Sequence, residues 1–290
     1  MSGVEHVCGD IRDAAVRRRA LEGVNGVLHL AAVLHLVDPR AQRDAAYDGI
    51  NAEATRGLVD DARDAGVHRV VVFSTIAVYG KSKPVTADES TPPCPDTPYA
   101  HSKLAAERVV LATMNREGEP LGAVLRLAAV YGPRLKGNYR AMLQHLAAGR
   151  PLPLIPGANR RTLVYDTDVA AAALLALRDP GAAGCVFNVS DGTTHTLREV
   201  TASMCAALGR PMPRFGVPAG FAAAAVKTAR PLLVGRFAAL AAQVEKFNEH
   251  IAVDASRIRS ALGFTPQVSL DEGWRRTVAG LREAGELVSC

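Results

Sequence analysis

The chain has 290 residues, of which 48% are hydrophobic and 22% charged, and a formal net charge of +5. That apolar share supports a sizeable core, in one large domain or two intimate ones. The basic residues are scattered; the densest clusters, Arg17-Arg18-Arg19 and Lys81-Ser82-Lys83, have no aromatic residues beside them for base stacking, so no nucleic-acid partner is expected and the charges read as a solvated face.

The first thirty residues carry Asp, Glu and Arg throughout, so no signal peptide is evident. Val27-Leu28-His29-Leu30-Ala31 is a short apolar run of buried-strand type. Residues 51–65 show helical spacing, with Leu58, Ala62 and Ala65 on one face and Gly66 at the stop position. Val70-Val71-Val72-Phe73 is a β-branched run suited to a parallel sheet. After a Pro-rich loop, residues 99–115 read as a long helix, 123–127 as a strand, 168–177 as a helix and 186–189 as a strand. Strand–helix alternation of this kind predicts an α/β fold with a doubly wound parallel sheet covered on both faces. Residues 132–161 and those from 190 onward are richer in Pro, Gly and helix-like segments, and are expected to cover one end of the sheet. The most apolar stretch, 221–244, is interrupted by Lys227, Arg230, Pro231 and Arg236, so it reads as packed or amphipathic helix and not as a membrane span. The five cysteines make no CxxC pair, which argues against a disulfide framework or a metal site and suits a cytoplasmic chain.

Two segments carry chemistry. In Tyr99-Ala100-His101-Ser102-Lys103, Tyr and Lys four apart share one helix face. An ammonium near a phenol favours the phenolate, and such a tyrosine can take a proton from an alcohol as hydride leaves the same carbon. Upstream, Ser74-Thr75-Ile76-Ala77-Val78-Tyr79-Gly80 follows a buried-type strand. A hydroxyl at the carboxyl end of a parallel strand points into the crevice where doubly wound sheets bind ligands. Taken singly, each has a bland reading: a surface helix face for the first, a strand-end cap for the second.

Together they resemble the extended short-chain dehydrogenase/reductases, the NAD-dependent epimerase/dehydratase family, and within it the bacterial UDP-sugar 4-epimerases and 4-keto-sugar reductases. The resemblance runs over nearly the whole chain: Gly9-Asp10-Ile11-Arg12-Asp13, His29-Leu30-Ala31-Ala32, the helix asparagine Asn51, the segment ending Val78-Tyr79-Gly80, the Tyr99/Lys103 pair, Arg126 to Pro133, Lys136-Gly137-Asn138, and Arg161 to Asp168. By register it implies a catalytic set of Thr75, Tyr99 and Lys103. It implies cofactor contacts, to NAD or NADP, from Asp10, Ile11, Leu30, Ala31, Ala32, Asn51, Ser74, Tyr99 and Lys103. Substrate contacts fall on Thr75, Ala129, Asn138 and Arg161, with Arg161 at a substrate phosphate. Ala129 stands where the family has asparagine. The implied substrate is a UDP-sugar and the implied assembly a homodimer. The implied organisation is a Rossmann-like NAD(P)-binding domain of residues 1–131 and 162–190, with a smaller, mostly helical substrate-binding region of 132–161 and 191–290. Hydroxysteroid- or flavonol-type reductases share the family, and a non-catalytic nicotinamide-binding scaffold is a third reading.

The family's glycine-rich turn, GxxGxxG after a first strand, has no counterpart among the 25 glycines. The resemblance begins near Val7, at what would be the third strand, leaving on the order of 50 residues unmatched. The expectation is a truncated chain or a misplaced start, the rival being a shortened protein that has lost activity. Either leaves residues 27–31 as an exposed sheet edge and residues 4–8 as a strand without neighbours.

Overall fold

The computed structural model describes residues 3–33, 48–81, 86–149, 159–213 and 252–287. The apolar stretch 221–244, together with Ser82 and Lys83, lies outside the described residues.

Four parallel strands form the main sheet, in the order β1-β2-β3-β7. They are β1 (Gly26–His29), β2 (Arg69–Thr75), β3 (Gly122–Leu127) and β7 (Val186–Val189). Helix α1 (Ala14–Ala20) precedes β1, and between the strands run α2 (Ala54–Asp64), α3 (Pro98–Ala112), α4 (Gly137–Ala147) and α5 (Asp166–Arg178). Two small ladders join β4 (Ala129–Tyr131) to β6 (Leu163–Tyr165) and β5 (Arg160–Arg161) to β8 (His195–Thr196). The helices α6 (Leu197–Leu208), α7 (Ser256–Leu262) and α8 (Leu270–Glu283) complete the described chain.

The strands predicted at 27–31, 70–73, 123–127 and 186–189 and the helices predicted at 51–65, 99–115 and 168–177 are present, with ends moved by up to three residues. Alternation along the strands explains the two-sided burial. Val70, Val72 and Val124 face Leu58, Val59 and Ala62 of α2 and Val110 of α3. Val71, Ala123, Leu125 and Phe187 face Val169, Ala172 and Ala176 of α5 and Ile258 and Leu262 of α7. Removing each such Val or Leu side chain from water stabilises the fold by about 2 kcal/mol. A second core lies beyond the sheet, where α4, α6 and α8 meet around Trp274, which stacks on Tyr131 at 4.7 Å between ring centroids.

Three expectations fail locally. Residues 4–8 form no strand; Val4 is exposed, with no sheet neighbour to hold it. Ala65 is exposed, because α2 ends at Asp64 and the chain turns away through Gly66, at φ 76°. Residues 51–53 belong to a wider π-helical turn, Asp48–Glu53, that precedes α2. As expected, β1 stands at the edge of the described sheet.

Candidate active site

Because all four strands run parallel, their carboxyl ends share one edge, and the chain leaves that edge at Leu30, Ile76, Ala128 and Ser190. This is where a doubly wound sheet holds ligands. Leu30 is 60% exposed there. It is a large apolar side chain beside the small Ala31 and Ala32, a surface suited to a flat, partly apolar group. Thr75 is the last residue of β2 and caps the following 3-10 turn (Ile76–Tyr79), its Oγ1 accepting from the Ala77 amide at 3.2 Å. Among the described residues its own hydroxyl proton meets no acceptor.

Helix α3 opens with Pro98 and is capped by Thr97, whose Oγ1 accepts from the Ala100 amide. This start places Tyr99 in the first turn, half-buried, and Lys103 one turn deeper, where only 3% of it is exposed. Burial disfavours the ammonium and lowers the Lys103 pKa to about 8; Glu107, one turn further along, acts in the opposite direction. Next to Lys103, His29 is also buried, and burial followed by the Lys103 charge lowers it to about 4. It is therefore a neutral imidazole at pH 7. The Thr55 hydroxyl donates to the Asn51 carbonyl at 2.7 Å, so it accepts from His29 Nε2 at 2.9 Å, which fixes the Nε2–H tautomer.

Asn51 works as a clamp. Its Oδ1 accepts from the Val33 amide at 2.8 Å and its Nδ2 donates to the Val33 carbonyl at 3.2 Å. The same Nδ2 donates to Ser102 Oγ at 3.0 Å, and Ser102 donates to the Tyr99 carbonyl at 2.9 Å. One buried side chain thus ties the segment after β1 to the first turn of α3. Ser74 is buried and donates its hydroxyl to Glu107. Asp10 is exposed and paired with Arg12, which holds its carboxyl near 2. Ile11 is half-buried against the α2 side of the sheet.

The remaining predicted positions lie around the second core. Ala129 opens β4 and is half-buried; Asn138 sits in the first turn of α4 and is half-buried. Arg161 is buried on β5, with its positive charge near the buried Tyr139 hydroxyl. That burial shows Arg161 is not a surface strand residue.

A buried polar chain runs behind the crevice. Arg126, on β3, grips Glu107 through Nε at 3.1 Å and Nη2 at 2.7 Å. Its Nη1 donates to the Tyr79 hydroxyl at 3.0 Å, which donates to Asn188 Oδ1 at 2.8 Å. Asn188 in turn donates to the Asp254 carbonyl and to Glu89. The sequence held a signal for this chain: Arg126 interrupts an otherwise apolar strand, and a buried charge needs a partner. Asp168 accepts from the Gln267 and Val268 amides at 3.0 and 3.1 Å, pinning the segment that leads into α8.

A cleft of about 850 Å³ lies elsewhere, between α6 and residues 266–271, and none of the predicted site residues lines it. Its Asp191 is engaged by His195 at 2.7 Å and its Glu199 by the Thr196 amide. No described helix is long and apolar enough to cross a membrane.

Comparison with known proteins finds relatives over nearly the whole chain. The UDP-glucose 4-epimerase of Vibrio cholerae is 28% identical over 95% of this chain and 82% of its own. Sterol demethylase protein B of Methylococcus capsulatus is 31% identical over 97% of this chain and 86% of its own. The structure of DesIV, a dTDP-glucose 4,6-dehydratase from Streptomyces venezuelae with NAD and TYD bound, superposes with a TM-score of 0.72 at 31% identity, covering 95% of this chain and 78% of that one. The sequence model of the NAD dependent epimerase/dehydratase family matches residues 2–190, and with its parallel sheet and flanking helices the chain belongs to that family.

Proposed function

We propose that this NAD-dependent enzyme is a nucleotide-sugar epimerase or 4-keto-sugar reductase that works on the C4 hydroxyl or ketone of a UDP-sugar. The observation that carries this reading is the buried Lys103, one helical turn beyond the half-buried Tyr99, at the sheet edge where Thr75 ends β2.

In this reading Tyr99 Oη takes the proton from the sugar hydroxyl, and Thr75 Oγ1 holds the same oxygen in place. Lys103 Nζ supports the phenolate and reaches the cofactor ribose. NAD, when bound, supplies the acceptor for hydride. Leu30, Ala31 and Ala32 would lie against it, with Asp10 and Ile11 toward its adenine end. Asn51 acts through the clamp on Val33, and Ser74 through its main chain, since its hydroxyl is engaged by Glu107. In this reading residues 132–161 and 191–290 are the substrate-binding region, where Asn138 and Arg161 meet the diphosphate, and Ala129, just before that region, borders the sugar. Guanidinium suits a phosphate there, with its forked donors.

The test is formation of UDP-galactose from UDP-glucose with NAD present. Tyr99→Phe should cut turnover by about a hundredfold or more while NAD binding persists. Undiminished turnover in this variant refutes the assignment. The similarity to the Methylococcus sterol protein favours a second reading, oxidation of a hydroxysteroid. Net NADH formation with a hydroxysteroid, and no sugar conversion, would select it.

A further inference from the structure

The buried chain behind the crevice has a feature that a merely structural ion pair would not need. Glu107 receives three side-chain donors: Nε and Nη2 of Arg126 and the Ser74 hydroxyl. Its carboxylate is thereby locked on the face of α3 that also carries Lys103, one turn away. It also holds Ser74, the residue before Thr75. Arg126 extends from Glu107 toward Tyr79, whose ring lies 4.9 Å from the guanidinium carbon. The negative end of this pair is on the Lys103 helix and the positive end on β3.

We propose that Glu107 is a positioning residue that keeps Lys103 charged and holds the strand end bearing Thr75 in register with α3. The proposal rests on the catalytic reading of Lys103 given above.

The groups around Lys103 leave Glu107 as the source of this effect. On its own helix are Tyr99 and Glu107; at the end of β1 is His29, neutral at pH 7; on β3 is Arg126. Thr55 and Asn51, near the start of α2, and Ser74 and Thr75, on β2, carry no charge. Among the described residues Lys103 forms no salt bridge, and Glu107 is the group whose charge opposes the burial of the ammonium. The Arg126 fork prevents the carboxylate from swinging onto Lys103, so Glu107 supports the ammonium without capturing it. A direct ion pair would withhold Lys103 from the phenol and the ribose.

The test uses the full chain with carbon-13 at the lysine Cε, with the Lys103 signal assigned by its loss in Lys103→Met. Its protonation is followed against pH in the wild type, in Glu107→Gln and in Glu107→Gln/Arg126→Gln. The double variant removes Glu107 and Arg126 together, so Arg126 is not left buried without its partner, and the measurement stays open if the single variant does not fold. Glu107→Gln should lower the proton affinity of Lys103 about tenfold, and the double variant, which also loses the repelling Arg126 charge, by a smaller factor. Tyr79→Phe, which breaks the same chain further from Lys103, should leave it unchanged. An unaltered or raised affinity in the double variant overturns the proposal, as does an equal fall in Tyr79→Phe. No substrate enters this measurement. If Tyr99→Phe instead keeps full turnover, the catalytic reading fails while the Glu107–Lys103 coupling can still be seen.

Discussion

Replacing Lys103 by methionine should stabilise the protein while abolishing its activity. Lys103 is 97% buried by exposure, and carrying its charge there moves its pKa from 10.5 to about 8. At about 1.4 kcal/mol for each tenfold change, the charged lysine costs the folded state about 3 kcal/mol at pH 7. Methionine has similar length and no charge to bury. Glu107 is not left unpaired, because Arg126 already engages it at 2.7 Å. For a chain of this size 3 kcal/mol corresponds to a melting temperature higher by about 5 °C. The sign fixes the pH window. Below about 8 both folded and unfolded chains carry the proton, and the full cost is present. Between about 8 and 10.5 only the unfolded chain holds it, so the cost shrinks, and it vanishes above 10.5. Thermal melts of both proteins at pH 7 and at high pH read this directly: a gain at pH 7 that fades as the pH rises. A destabilised Lys103→Met, or a gain independent of pH, would refute the reasoning.

His29 predicts the opposite limb. Its pKa falls from 6.5 to about 4, so the unfolded chain binds a proton that the folded chain resists. About 3 kcal/mol of stability, present above pH 6.5, is lost as the pH falls toward 4; denaturant titrations should show that loss in the wild type and a shallower one in His29→Gln. At Gly80, φ is 76° and an added Cβ would collide with the Cys94 carbonyl. Gly80→Ala should therefore cost more than about 2 kcal/mol in urea unfolding, and a smaller cost would mean that the 3-10 turn after Thr75 adjusts freely.

Much of the fold was legible in the sequence because it depends on neighbours along the chain. Val70 to Phe73 is apolar at every position, which suits a strand buried on both faces, and that is how β2 sits. The 3.6-residue rhythm of Leu58 and Ala62 marked the buried face of α2, though it missed Val59 and included the exposed Ala65, since only packing decides where the face ends. Family membership was legible too, from motifs whose spacing is local. Residues 4–8 have strand-like composition but, among the described residues, no strand beside them, and a strand exists only through its hydrogen-bonded neighbour.

The candidate site divides in the same way. Tyr99 and Lys103 sit four apart on one helix, so their shared face follows from the period of the α-helix alone. Which hydroxyl of Ser74-Thr75 is engaged does not follow from any period. Ser74 meets Glu107 across 33 residues of chain, Arg126 meets Glu107 across 19, and Tyr79 meets Asn188 across 109. The asparagine clamp on Val33, the burial of Arg161 and the depressed pKa of Lys103 are likewise products of distant segments closing on one another. Periodicity determines which side of an element faces inward. The partner found there, and hence the charge a buried group can keep, is decided only when the sheet and its helices pack.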